Sequence, residues 1–170
     1  MTSNVLSGPW LVLAYEIRMF RYMRIAFNFP ATLIVFGGPV RNAIAESAVL
    51  HARILCDLFS SESKRHEDDI GFSDLFDDWE TAGERYRNLK SHIAEMKSAY
   101  GTHKTENSPC WEFNKMLAHL TKERGARHIY ECAIQKVAPL IEKIVSELES
   151  LNPGFWKTAE LQMDKLLPES

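Results

Sequence analysis

The chain has 170 residues, 45% of them hydrophobic and 25% charged, the balance of a globular domain with its own core and not of a disordered or membrane-embedded chain. A formal net charge of −3 excludes capture of nucleic acid by bulk electrostatics, so any RNA contact requires a local basic patch. Cys56, Cys110 and Cys132 show no metal-ligand spacing and read as reduced thiols of a cytoplasmic protein.

The first predicted helix runs from about Pro9 to Phe27 and stops before Pro30. Its apolar run is broken by Glu16, Arg18, Arg21 and Arg24, so no membrane span is expected. The three arginines, with Tyr15 and Tyr22 beside them, form a basic ridge that reads either as a solvated face or as a surface for phosphates and bases. The stretch ATLIVFGGP reads as an apolar connector closed by Gly37 and Gly38.

The second helix is predicted from Pro39 to about Ser60, with Ile44, Ala48, His51, Leu55 and Leu58 as its apolar stripe. His51 therefore reads as a core histidine bonded to a neighbouring helix, with a small-molecule pocket as the sharper alternative. On nearly the opposite face stand Asn42, Glu46, Arg53 and Asp57, the last two spaced to pair. SESKRHEDDIGFSD reads as a polar loop without the alternating oxygen ligands of a calcium site. The third helix is predicted from near Asp78 to Tyr100, with Trp79, Tyr86, Leu89, Ile93 and Met96 facing inward.

After GTHKTENSP, Ser108 is a capping residue and Pro109 a first-turn residue for the fourth helix. On that helix Phe113, Leu117 and Leu120 make the core stripe, while His119 falls on a charged, reachable side with Glu112, Lys115, Met116 and Glu123. A fifth helix follows Gly125, is expected to kink at Pro139 and ends at Asn152-Pro153-Gly154. A short C-terminal helix to about Leu167 packs back on the rest. The expected fold is all-α: an antiparallel helical bundle of about five helices in a single domain, residues 1–170.

No phosphate-binding loop, nucleophile elbow or helical zinc pair is found, so neither cofactor nor metal is expected. Two stretches, VRNAIAESAVLHARILCDLF and FNKMLAHLTKER, resemble small bacterial members of the HEPN (higher eukaryotes and prokaryotes nucleotide-binding) superfamily. The matching positions are Glu46, His51-Ala52-Arg53 and Asp57, then Asn114, Lys115, His119, Leu120, Thr121 and Arg124, within a region of about residues 40–150. The resemblance implies a helical bundle that often dimerises, with metal-independent RNA cleavage in its active members. It would make His119 the acid–base residue, with Asn114 orienting it and Arg53 or Lys115 contacting phosphate. Phe113 stands where the resemblance calls for an arginine, with Arg124 or Lys115 as substitutes. The function expected is therefore an RNA-binding or weakly RNA-cleaving domain, active as a homodimer. The alternative is a non-enzymatic dimeric interaction module, such as a toxin–antitoxin or defence-system subunit with a protein partner such as an antitoxin.

Overall fold

Apolar residues at three- and four-residue spacing can leave water together only on a helix, and the chain folds accordingly. The computed structural model describes residues 8–28, 37–61, 67–118 and 128–163, and among the described residues there are seven helices and no strand. They are α1 (Gly8–Asn28), α2 (Gly37–Ser60), α3 (Phe72–Leu75), α4 (Arg87–Tyr100), α5 (Pro109–Ala118), α6 (His128–Leu151) and α7 (Phe155–Met163). They pack as a bundle in which α2 touches α1, α4, α5 and α6, while α7 closes on α1. No helix among the described residues is long and apolar enough to cross a membrane.

The core is continuous through the bundle. Phe20, Leu55, Phe59, Met96, Phe113, Ile141 and Phe155 are almost wholly buried, each large side chain contributing on the order of 1.5–3 kcal/mol by leaving water. Trp10 anchors α1 at one end. Its indole N–H donates to the Leu75 carbonyl at 3.1 Å, and its ring lies edge-on to Phe76 at 5.3 Å. Burying tryptophan in this way requires a partner for its one polar atom.

Two elements differ from the sequence expectation. The polar loop gives way at Gly71 to the single turn α3, which buries Phe72 and Leu75. The expected third helix begins only at Arg87. Before it, residues 77–86 form turns, in which Thr81 and Ala82 both donate backbone N–H groups to the Asp78 carbonyl. The Asp78 carboxylate accepts from the Tyr86 hydroxyl and from Arg85, so the side chain holds the turns together. Trp79 and Tyr86 are buried as the spacing required, because tight turns bring those rings inward as a helix would. Helix α6 runs through Pro139, an exposed position. The connector at 31–36, the Gly125 break and the chain beyond Met163 lie outside the described residues.

A carboxyl group in the α5–α6 packing supplies a pH test. Glu112 is buried, and its Oε2 has no hydrogen-bond partner. Burial pushes its carboxyl above the usual glutamate range, with the charge of Lys136 opposing. A raised folded value means that the protonated form is the one the fold favours. Its contribution is complete below the ordinary glutamate range and is lost as pH rises through the folded value. Glu112→Gln is therefore expected to raise the melting temperature at about pH 7.5 and to leave it nearly unchanged at about pH 4, as measured by thermal unfolding at both values.

Candidate functional site

Four of the residues singled out in the two motif stretches meet in one place. An open cleft of about 800 Å³ runs between α2 and α5 and is roofed by the α4–α5 connection; Arg53, Asp57, Asn114 and Lys115 line it, together with Tyr100, His103 and Trp111. The volume is that of a small-molecule or single-nucleotide site.

Local structure fixes this geometry. α4 ends at Gly101, whose φ is +70° and whose N–H donates to the Lys97 carbonyl at 3.2 Å. A Cβ there would meet Ser108 Cβ at 2.8 Å, so both the backbone sign and the close approach call for glycine. The Ser108 hydroxyl donates to the Thr102 carbonyl at 2.9 Å and accepts the Trp111 N–H at 3.2 Å. One side chain thus caps α5 and ties down the connection that carries His103.

On the α2 wall, Arg53 Nε lies 3.7 Å from Asp57 Oδ2, with about a third of each side chain exposed (34% and 31%). The Tyr100 hydroxyl donates to Asp57 Oδ1 at 3.1 Å. Asp57 is thereby held from two sides, and burial, followed by its charge, pushes the Tyr100 hydroxyl above the usual phenol range. Tyr100 is accordingly a fixed donor. Burial, then Asp57, also pushes the Cys56 thiol well up, which makes it inert as a nucleophile. On the α5 wall, Lys115 Nζ sits 3.7 Å from the centroid of the Trp111 ring, and Asn114 Nδ2 donates to the Cys110 carbonyl one turn back at 2.8 Å. The cleft therefore gathers two cations, an indole ring with Lys115 over one of its faces, a hydroxyl committed to Asp57 and an imidazole around one carboxylate. That set can hold a phosphate and stack a planar ring.

The other expected residues separate. Glu46 is half-buried on α2 and is not part of the cleft lining. His119, Thr121 and Arg124 lie outside the described residues. Phe113 has no exposed surface and stands 6.2 Å from the Tyr100 ring, so position 113 belongs to the core. The charged, reachable side expected for α5 needs correction, since Glu112 and Met116 are buried. The physical reason is that α6 covers that side, a fact the pattern of α5 alone does not contain.

The basic ridge of α1 is corrected as well. Arg21 Nε donates to both Glu142 carboxylate oxygens at 3.2 and 3.1 Å, and its guanidinium lies over Trp156 at 4.9 Å. Arg24 reaches the same carboxylate at 3.9 Å. Two of the three arginines are thus engaged with α6 and α7. His51 meets the expectation of a neighbour-helix partner through Glu16 on α1, Nδ1 to Oε2 at 2.7 Å. The three cysteines are free thiols. His103 is not legible as a site residue because GTHKTENSP reads only as a break, and Trp111 is not because it lies between that break and the motif stretch. The signal available was an aromatic one turn before Lys115 on the same face.

Comparison with protein-family models, with curated proteins and with solved structures finds no match.

Proposed function

We propose that the chain is a HEPN-like RNA-binding domain whose α2–α5 cleft takes one nucleotide of single-stranded RNA, with cleavage weak or lost. The observation that carries this reading is the convergence of Arg53 and Lys115 on one cleft beside Trp111. Lys115 and Arg53 bind the phosphate, and Trp111 offers a π-face to a base. Asp57, pinned by Tyr100, steadies Arg53. Chemistry would need a proton-transfer group. In this reading His119 is that group, and His103 is the histidine already lining the cleft. Cleavage is weak because position 113 delivers core and not a fixed cation, and a missing charge at a phosphoryl transition state commonly costs several kcal/mol.

Fluorescence anisotropy with a short unstructured RNA tests the reading. Trp111→Ala is expected to weaken binding by about 1–3 kcal/mol. Lys115→Ala is expected to weaken it by roughly tenfold and to lower the salt slope by about one. Affinities indifferent to both substitutions would overturn the reading. A second reading, the non-enzymatic interaction module, draws on the exposed apolar side chains of α1 and α2, among them Val12, Tyr15, Leu50 and Ile54.

A further inference from the structure

The side-chain amide of Asn114 is held in one orientation. Its Nδ2 donates to the Cys110 carbonyl at 2.8 Å and lies 3.6 Å from Cys110 Sγ. Turning the amide over would set Oδ1 against that carbonyl oxygen, so the hydrogen bond fixes which end is which. The amino end is therefore spent on the residue one turn back. Oδ1 has no partner among the described residues, and Asn114 lines the cleft. What this residue offers a ligand is an acceptor.

Its place on α5 decides what that acceptor would meet. Trp111 and Asn114 stand one turn apart on the helix, which makes them neighbours on one face, and both line the cleft. A base laid against the Trp111 ring runs its hydrogen-bonding edge past Asn114. The nearby donors are turned elsewhere, since the Tyr100 hydroxyl donates to Asp57 and Lys115 lies over Trp111. Once a ligand displaces water from Oδ1, the acceptor needs a donor on the ligand. Cytosine at C4 and adenine at C6 carry an amino group, which donates. Uracil carries a carbonyl oxygen at that place. Its one edge donor, N3–H, stands between two carbonyl oxygens that Oδ1 repels.

We infer that Asn114 determines base specificity: its Oδ1 selects a base with an exocyclic amine, cytosine or adenine, over uracil. The inference rests on the RNA reading of the cleft and adds to it the base that the cleft takes.

Fluorescence anisotropy with pentacytidylate and pentauridylate tests this, since the two RNAs differ only along the base edge. Pentacytidylate is expected to bind roughly tenfold more tightly, the effect of one hydrogen bond made against one left unmade. Penta-adenylate is expected to exceed its purine-riboside counterpart, which lacks the amine, by a similar factor, and this pair probes the contact on the unaltered protein. Asn114→Leu is expected to bring pentacytidylate down to the pentauridylate level while pentauridylate affinity stays within about twofold. A residue that served only to hold α5 would, when replaced, weaken every RNA equally. Equal weakening of both RNAs would overturn the inference. So would a wild-type chain without preference whose binding still falls with Trp111→Ala, a result that leaves the RNA reading standing. Should Asn114→Leu fail to fold, equal affinities for penta-adenylate and its purine counterpart would overturn the inference on the wild-type chain alone. Binding that ignores Trp111→Ala would overturn the inference and the RNA reading together.

Discussion

Phe113→Arg is expected to destabilise the fold by roughly 3–5 kcal/mol, the range for losing a packed aromatic from a core. Phe113 is fully covered, with the Tyr100 ring as a neighbour. A guanidinium at this site leaves water for a space shaped for a phenyl ring, and its donors have no acceptors there unless the side chain escapes to the surface. Phe113→Leu keeps the site apolar and close in volume, and is expected to cost less than about 1.5 kcal/mol. Urea unfolding of the two variants separates charge from shape. The same substitution bears on the ribonuclease question. The cleft-lining positions of α5 are Cys110, Trp111, Asn114 and Lys115, so an arginine at 113 starts from the core stripe and does not enter the cleft directly. A Phe113→Arg protein that folds stably and cleaves RNA, its guanidinium having escaped to the cleft, would support the missing cation as the cause of weak cleavage. A stable one that leaves RNA untouched would end the idea that the missing arginine silenced an enzyme.

The second large effect concerns the tie between α1 and α2. His51 and Glu16 form a 2.7 Å contact with side chains only 8% and 13% exposed. Such a pair is costly to break from one side, because the remaining polar group stays buried without its partner. His51→Leu alone is expected to cost about 3–5 kcal/mol. Glu16→Leu together with His51→Leu is expected to cost less than His51→Leu alone, since two apolar groups can pack where one orphaned carboxylate cannot. A double-mutant cycle by chemical denaturation measures the coupling. Additive losses would mean that the two side chains are held independently and that the contact carries no stability.

These cases also show what the sequence could and could not convey. The spacing of Leu89, Ile93, Met96 and Tyr100, and of Val137, Ile141, Ile144 and Leu148, was enough to place buried faces, because a helix with one apolar stripe has one way to leave water. The motif pairs on α2 and α5 were legible as residues, and the structure brings Arg53, Asp57, Asn114 and Lys115 to one cleft. Polar faces were read less well. Glu112 looked solvent-facing until α6 covered it, and Arg21 looked like part of a surface ridge until Glu142, 121 residues away, met it. A charged side chain has a solvated answer and a paired answer of similar energy, and only the tertiary neighbour decides between them. The turns at 77–86 were missed for a related reason: Trp79 and Tyr86 need only be brought inward, and the Asp78 ties do this without a helix.

In the function proposed above, RNA lies in the α2–α5 cleft and not along the arginines of α1. Photo-cross-linking with a short single-stranded RNA carrying 4-thiouridine, followed by mass-spectrometric mapping of the modified residue, tests this most directly. Adducts are expected at Trp111 and in the adjoining 100–104 segment that roofs the cleft, reduced when Lys115 is replaced by alanine. Adducts confined to the Arg18–Tyr22 face of α1, or cross-linking that ignores the Lys115→Ala substitution, would contradict it.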